Sequence, residues 1–312
     1  MLDLHYFYGG IAQSVEQQNH NLPVGGSSPS PATNFLSSSS MFSELFKLGP
    51  VTVHSYGVCM AMGFLFAMLL ISRMCRFNGQ NSEFYSSLVT WILISAILGA
   101  RIAYVLEHWQ LEFKDSPMSI FRIDRGGLMF YGGFIAAALA TFAYAKLHGK
   151  KIFEVTDVLV TVLPLGHMFG RIGCFFHGCC YGDRTGSIFG VSFPSQSPAW
   201  IQQLNDGLIS RSASCSLPVI PVQLVEAGLN LLMFLVLYKL YRRAFRHRGI
   251  ATAFYLISYA SVRFITEYLR GDSRLTVGGF SIGQTISIGL FATGMAIFLL
   301  RRRDSRLPDQ ES

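Results

Sequence analysis

Seven apolar segments constrain the fold more than any other feature of this sequence. They lie at residues 52–74, 84–107, 128–146, 155–178, 219–241, 250–269 and 282–300. Each is close to the ~20 residues that an α-helix needs to cross the hydrocarbon core of a bilayer. Since backbone polar groups must be paired internally in lipid, such segments span it as helices. The sequence therefore predicts an all-α, polytopic membrane protein with seven transmembrane helices.

The composition supports this class and excludes two others. Hydrophobic residues make up 51% of the chain and charged residues 14%, with a mean hydropathy of +0.38. The net charge of +7 does not indicate nucleic acid, because the basic residues cluster at the ends of apolar segments. The six cysteines lack the regular spacing of a secreted disulfide scaffold. We therefore expect membrane lipids, and no nucleic acid, as partners.

The positions of lysine and arginine predict the orientation. The connections after the first, third, fifth and seventh segments carry Arg73, Arg76, Lys146, Lys150, Lys151, Lys239, Arg242, Arg243, Arg246, Arg248, Arg301, Arg302, Arg303 and Arg306. By the positive-inside rule these ends are cytoplasmic. We therefore predict an N-terminus outside and a cytoplasmic C-terminus.

The two ends of the chain differ from the apolar region. Residues 1–40 are rich in Ser, Pro and Gly and lack the apolar core of a signal peptide. We interpret them as a disordered tail or a mis-annotated start, in which case Met41 is the true start. Residues 41–306 are predicted to form the membrane domain, and residues 307–312 a short polar tail.

Polar side chains within the apolar segments share one level of the predicted bundle. With the topology above, the outward half holds His54, Tyr56, Arg101, Glu107, Tyr131, Arg171, Gln223, Glu226, Arg263, Glu267 and Gln284. Few polar residues lie in the cytoplasmic half of the segments. This pattern predicts one polar cavity open toward the outer leaflet.

Three arginines at this level indicate an anionic ligand. A guanidinium in hydrocarbon costs roughly 2.5–3.5 kcal/mol on insertion scales, so Arg101, Arg171 and Arg263 require partners. Glu267 lies four residues after Arg263 and three before Arg270, so it can hold both on one helix face. A phospholipid phosphate, bound by the planar guanidinium fork, is the predicted ligand. The alternative is that these residues form structural ion pairs between helices.

The stretch G-R-I-G-C-F-F-H-G-C-C-Y-G at residues 170–182 contains possible zinc ligands, namely Cys174, His177, Cys179 and Cys180. The spacing lacks paired C-x-x-C units, and adjacent cysteines do not easily enter one tetrahedron. We therefore interpret the cluster as a tight loop of small residues and expect neither metal nor cofactor. A disulfide from Cys215 to this cluster stays open.

Short motifs along the chain identify a family. They are S-Y-G at 55–57, G-A-R-I-A-Y at 99–104, G-G-L-M-F-Y-G-G at 126–133, the 170–182 stretch, P-V-Q-L-V-E at 221–226, V-R-F-I-T-E-Y-L-R at 262–270 and S-I-G-Q at 281–284. Each is weak alone, but their order and joint presence are specific. Over residues 50–300 the chain resembles the bacterial prolipoprotein diacylglyceryl transferase family.

The resemblance implies a reaction and a location. Members move the diacylglyceryl group of phosphatidylglycerol to the thiol of the lipobox cysteine in a prolipoprotein signal peptide. They form a thioether and release glycerol 1-phosphate, without metal or nucleotide. The implied location is the bacterial cytoplasmic (inner) membrane, with the active site toward the outer leaflet.

The resemblance also implies roles for particular residues. Arg171 and Arg263 are expected to bind the phosphate and the leaving-group charge, Tyr56 and Glu267 to orient them, and Gly182 to shape the adjacent loop. The polar level adds four candidate substrate-binding residues, namely Arg101, Arg270, Gln223 and Gln284.

Two positions depart from the commoner family pattern. Tyr131 stands where the family has histidine, and Cys174 stands where it has asparagine. Because tyrosine has a reference pKa near 10, we predict that Tyr131 positions the phosphate or thiol by a hydrogen bond. The departures leave two alternatives, a paralogous transferase for another thiol or lipid and a non-enzymatic lipid-binding or transport bundle. A transporter would be expected to show internal repeats and broken helices, which the sequence lacks.

Overall fold

A computed structural model describes residues 44–48, 51–122, 126–244, 248–271, 276–277 and 279–304. The predicted tails at 1–40 and 307–312 lie outside these residues. Within them, the helices are α1 Ser55–Phe77, α2 Ser82–Glu107, α3 Phe130–Leu147, α4 Ile152–His177, α5 Pro198–Asn205, α6 Val222–Ala244, α7 Ile250–Thr266 and α8 Ile282–Asp304. The predicted helical, polytopic class is confirmed.

Two short antiparallel strand pairs were not predicted. Strands β1 (Glu44–Leu48) and β2 (Val51–His54) precede α1, and strands β3 (Thr276–Val277) and β4 (Phe280–Ser281) precede α8. Each pair ends where a long helix begins, so each sets the entry of the chain into the bundle. They leave the architecture helical.

Six helices, α1, α2, α3, α4, α6 and α8, are long and apolar enough to cross a membrane. Helix α7 has 17 residues and continues into a 3-10 turn at Glu267–Leu269. Large apolar side chains such as Leu69, Leu98 and Phe142 are exposed on the bundle surface, as expected for residues facing lipid. The protein is a multi-pass membrane protein, and seven spans and the sidedness of the termini stay predictions.

Helix α4 occupies the centre of the bundle, where it packs against α1, α3, α6 and α7. At one end of the bundle, α1, α3 and α6 finish and α2, α4 and α7 begin; we call it the basic end after its predicted cytoplasmic charges. Here Ile71, Cys75, Leu88, Val155 and Val158 form an apolar core. We call the opposite end the loop end. The predicted site residues of α4, α6 and α7 lie toward the loop end, since Arg171 and Arg263 are near the ends of α4 and α7 and Glu226 is in the first turns of α6.

A buried carboxylate joins α4 to the first turn of α7. Asp157 on α4 accepts hydrogen bonds from the backbone N–H of Gly249 (2.6 Å) and of Thr252 (2.8 Å). The Thr252 hydroxyl donates to the same carboxylate at 2.6 Å. Gly249 has no side chain with which to cap α7, so Asp157 supplies the cap from the neighbouring helix.

Helices α2 and α3 approach through glycine. A Cβ on Gly99 would lie 2.6 Å from the carbonyl oxygen of Gly132, and a Cβ on Gly132 would meet the carbonyl of Gly99 in return. The two backbones are therefore in direct contact, as in small-residue packing of membrane helices. This contact makes α2 and α3 one packed pair.

We expect Gly99→Ala to destabilise the protein by about 1–3 kcal/mol, because its methyl group would overlap the backbone of α3. The thermal unfolding midpoint of the purified chain in detergent measures this effect. Gly289→Ala is the matched control, since a Cβ on Gly289 in α8 meets nothing within 4 Å. Equal midpoints for the two variants would contradict the close α2–α3 packing.

Candidate active site

Ion pairs link three helices at the loop end. Glu226 on α6 forms an ion pair with Arg171 of α4, with Oε2 2.6 Å from Nε, and its Oε1 accepts a hydrogen bond from Arg263 Nη1 of α7 at 3.4 Å. Arg263 Nη2 lies 2.9 Å from Glu267 Oε2, one turn further along the chain. The four side chains form an unbroken row of alternating charge, which we call the ion-pair row.

Glu226 is the most deeply buried member of the row together with Glu267. Only 3% of it is exposed. The side chains of Arg171 and Arg263 are 23% and 21% exposed, whereas the side chain of Glu226 between them is 4% exposed, so the guanidinium groups are the accessible part of this ion pair. A buried carboxylate requires paired partners, and these two guanidinium groups provide them.

The two arginines use different edges of their guanidinium groups. Arg171 makes its closest contact with Glu226 through Nε, not through a terminal nitrogen. Arg263 uses both terminal nitrogens, one for each carboxylate. Since phosphate is bound by two parallel N–H groups, Arg171 is the better placed of the pair for an anion, and Arg263 fixes the carboxylates.

The S-I-G-Q motif forms the start of α8 and contacts the ion-pair row. The Ser281 hydroxyl oxygen accepts the N–H of Gln284 at 3.1 Å, and Gln284 Oε1 accepts the N–H of Ser281 at 3.0 Å. This reciprocal pair is a capping box. The Ser281 hydroxyl also donates to Glu267 Oε1 at 2.8 Å. Gln284 therefore lies beside the site with its amide oxygen engaged in the cap, and its role as a substrate ligand stays a prediction.

The 178–221 segment lies against the row and has a core of its own, formed by Tyr181, Val191, Phe193, Ala199 and Val219. Gln223 Nε2 donates to the carbonyl of Cys179 at 2.8 Å, which ties the segment to α6. Gly182 pairs with Arg270 as an isolated β-bridge, and a Cβ there would lie 2.6 Å from the carbonyl of Leu269. Gly182 thus permits the segment to touch the end of the α7 region.

Both predicted tyrosines are accessible. Tyr56 on α1 is 43% exposed and packs on Gly173 of α4, where a Cβ would lie 3.0 Å from the tyrosine ring. Tyr131 at the start of α3 is 54% exposed.

The structure also reveals a residue beside the ion-pair row that the sequence analysis missed. His167 lies one helical turn before Arg171, with its ring 5.4 Å from that of Tyr259. The i, i+4 spacing of His167 and Arg171 could have indicated it.

Arg101 is separate from the ion-pair row in the contacts it makes. It is 8% exposed, and its guanidinium lies over the rings of Tyr104 and Phe113. Its nitrogens donate to the carbonyl oxygens of Ser119 (2.8 Å), Ile120 (2.8 Å), Arg122 (3.1 Å), Gly126 (3.2 Å) and Gly127 (3.0 Å). Five carbonyl partners make it the organiser of the loop between α2 and α3, and its predicted contact with substrate is untested.

Among the residues that the structure describes, three cysteines are the group that could hold a metal ion. The Sγ atoms of Cys174, Cys179 and Cys180 all lie within 4.8 Å of one another. The neighbouring thiols of Cys174 and Cys179 lower the pKa of Cys180, and the charges of Arg270 and Arg171 act in the same direction. All six cysteines of the chain are free thiols, so Cys215 forms no disulfide with this cluster.

These features define a multi-pass membrane protein whose loop end presents guanidinium groups suited to an anionic lipid head group. The family model described as prolipoprotein diacylglyceryl transferase matches residues 43–300, and the chain belongs to that family.

Named relatives match over most of their length. A protein of Stenotrophomonas maltophilia is 31% identical over 274 residues, covering 84% of this chain and 92% of the relative. A protein of Xanthomonas oryzae is 33% identical, covering 83% and 90%. One from Proteus mirabilis is 30% identical, covering 88% and 97%. All three are named phosphatidylglycerol–prolipoprotein diacylglyceryl transferase.

We expect Arg101→Lys to lower the unfolding free energy by about 1.5–3 kcal/mol, since lysine has three donors for five carbonyl oxygens. The thermal unfolding midpoint and the KM for the lipid substrate are measured on the same preparations of the variant and the parent protein. The exposed Arg184→Lys in the 178–221 segment is the control for a lost guanidinium. A raised KM with an unchanged unfolding midpoint would instead identify Arg101 as a substrate ligand.

Proposed function

We propose that the protein transfers the diacylglyceryl group of phosphatidylglycerol to a cysteine thiol of prolipoproteins. Membership of the family and the names of the relatives support this reaction. The observation that carries it is the ion-pair row, in which Glu226 holds Arg171 and Arg263 together and Arg171 makes its closest contact through Nε rather than through a terminal nitrogen. A phosphodiester in the bilayer is an anion of matching size and depth.

The proposed reaction increases the negative charge on the phosphate group. The thiolate sulfur attacks the glyceryl carbon next to the phosphate, a C–S bond forms and the C–O bond breaks with its electron pair on the phosphate oxygen. The acceptor thiol loses its proton, and the phosphate changes from a singly charged diester to a glycerol phosphate of higher charge. Fixed cations stabilise that developing charge, and removing one such donor typically costs ~10²–10³ in rate.

The remaining residues act on this step by position. In the proposal Arg171 binds the phosphate, Arg263 and Glu267 hold the arrangement, and Tyr56 and Tyr131 reach the substrate from α1 and α3. The acceptor is the lipobox cysteine of a signal peptide, which enters from the outer leaflet of the bacterial inner membrane. Gln223 and Gly182 shape the loop above the lipid. Arg270 lies at its rim.

The test uses the purified full chain in vesicles of phosphatidylglycerol with a lipobox peptide. Mass spectrometry is expected to detect the peptide with an added diacylglyceryl group, with equal release of glycerol phosphate. A peptide with serine in place of the acceptor cysteine is the control. Lipid binding without any modified peptide would favour a non-enzymatic lipid-binding bundle.

A second candidate is a transferase that uses a different thiol or lipid. The departures at Tyr131 and Cys174 favour it, because both lie in motifs expected to contact substrate. Glycerol phosphate release with a small thiol, but not with the lipobox peptide, would support this alternative. Replacing phosphatidylglycerol with another anionic phospholipid separates the choice of lipid from the choice of acceptor.

We expect Arg171→Lys to lower kcat/KM by ten- to a hundred-fold, about 1.4–2.8 kcal/mol, although it keeps the charge. An ammonium group cannot replace the Nε pair with Glu226 and the terminal fork together. Arg263→Lys is expected to act similarly, since one ammonium cannot bridge both carboxylates. Near-normal kinetics for Arg171→Lys, beside the control Arg184→Lys, would refute the phosphate assignment.

We expect Tyr131→Phe to lower the rate about ten- to a hundred-fold, the effect of one lost hydrogen bond to a charged group, roughly 1.5–3 kcal/mol. The shape of the pH–rate profile should be the same in both proteins, and Tyr131→His should be tolerated. Loss of all turnover together with a titration present in the parent protein would show that Tyr131 is the base.

A further inference from the structure

Three thiols meet at the loop end of α4 for a local backbone reason. The N–H of Gly178 donates to the carbonyl of Phe175 at 3.1 Å, and the N–H of Cys179 donates to that of Cys174 at 3.2 Å. With Gly178 in the left-handed region (φ 76°), this is the Schellman pattern of helix ends. The motif characteristically brings together the side chains of its two outer positions, here Cys174 and Cys179.

Cys180 completes the group through an unusual backbone angle. Its φ of 60° is one of two positive values among the non-glycine residues that the structure describes. The left-handed conformation turns the chain sharply, so the adjacent side chains of Cys179 and Cys180 converge instead of pointing apart. As a result, all three Sγ atoms lie within 4.8 Å of one another.

We propose that Cys174, Cys179 and Cys180 bind one Zn²⁺ ion, which leaves its fourth position open to the acceptor thiol. Zn–S bonds of ~2.3 Å in a tetrahedron place sulfur atoms ~3.8 Å apart, so the thiols need to close by about 1 Å. Three protein ligands and one open position are the pattern of a catalytic zinc site. The proposal departs from our sequence-based expectation of no metal, and exposed His177 is outside the trio.

The surroundings favour a site of this charge. Zn²⁺ with three thiolates carries a net charge of −1, and a fourth thiolate makes it −2. Arg171 lies one helical turn before Cys174 on α4, and Gly182, two residues after Cys180, forms a β-bridge with Arg270. Gln223 fixes the carbonyl of Cys179 from α6, three residues before Glu226. The thiol group and the ion-pair row therefore share their supporting helices.

This role rests on the proposed function. A thiol that binds zinc loses its proton outright, so the metal would supply the reactive thiolate at neutral pH. The proton passes to solvent, the zinc-bound sulfur attacks the glyceryl carbon and the C–O bond breaks with its electrons on the phosphate. No oxidant or reductant is needed.

The test measures metal before activity. The purified full chain, exchanged into Zn²⁺ at low micromolar concentration and then washed, is expected to retain one zinc per chain by elemental mass spectrometry. Cobalt substitution is expected to give the intense sulfur-to-metal absorption of thiolate ligands. Cys174→Ser, Cys179→Ser and Cys180→Ser should each lower zinc retention at least tenfold. Cys215→Ser, in the same segment, should leave it unchanged.

Variants that fail to fold do not decide the test, because the parent protein provides a second measurement. Bound zinc should protect three thiols from alkylation, as counted by mass spectrometry of peptides. Zinc far below one per chain, or retained equally by Cys180→Ser, would overturn the proposal. A mass lower by two hydrogens, with two of these thiols unreactive until reduced, would also overturn it and indicate a disulfide instead.

The open position is tested with the cobalt form. A lipobox peptide should increase the sulfur-to-cobalt absorption, and its serine analogue should not. An unchanged spectrum with the cysteine peptide would refute thiol coordination even if metal is bound. Because neither readout needs turnover, a failure here is distinct from a failure of diacylglyceryl transfer in the vesicle assay.

Discussion

The site depends on one carboxylate that is almost removed from water. Glu226 is 3% exposed, and two guanidinium groups from two other helices supply its charge partners. Removing either partner would leave a buried charge uncompensated, which typically costs 3–5 kcal/mol. The carboxylate therefore sets both the spacing of the two arginines and the association of α4, α6 and α7. The row of two arginines and two glutamates is neutral in formal charge, so the phosphate of the proposed substrate would meet directed N–H groups more than a large positive field.

Sequence patterns predicted the class of fold well, because segment length is a strong constraint. They predicted poorly which residues form hydrogen bonds and ion pairs with one another. Arg101 and Arg171 look alike as isolated arginines in apolar segments, yet one donates to five loop carbonyls and the other to Glu226. Whether Arg101 contacts the loop between α2 and α3 or is available to a ligand depends on the path of that loop. The helical periodicity of the sequence does not predict this path. The roles of Tyr56, Tyr131, Gln223 and Gln284 in binding stay predictions.

Other features of the structure could have been predicted from the sequence. S-x-x-Q before an apolar segment is a capping-box pattern, so Ser281 and Gln284 could have been assigned to the start of α8. The cysteine cluster was set aside because adjacent cysteines diverge in ordinary backbone conformations. That argument fails where a residue adopts positive φ, as Cys180 does, and propensity alone does not predict such an angle outside glycine. The short strand pairs were not predicted because their strands contain only two to five residues each.

The cap that Asp157 places on α7 has a mechanical consequence. Helix α4 holds α7 at two points, through Asp157 at the basic end and through Glu226, which bridges Arg171 and Arg263, at the loop end. Fourteen residues separate Asp157 from Arg171, about 20 Å along the helix axis. Helix α7 is thus held against α4 at both of its ends. If the contact with Asp157 is lost, α7 can tilt, and a small tilt displaces Arg263. A screen for loss of activity would record Asp157 variants beside those of the ion-pair row, although the carboxylate lies at the far end of the bundle.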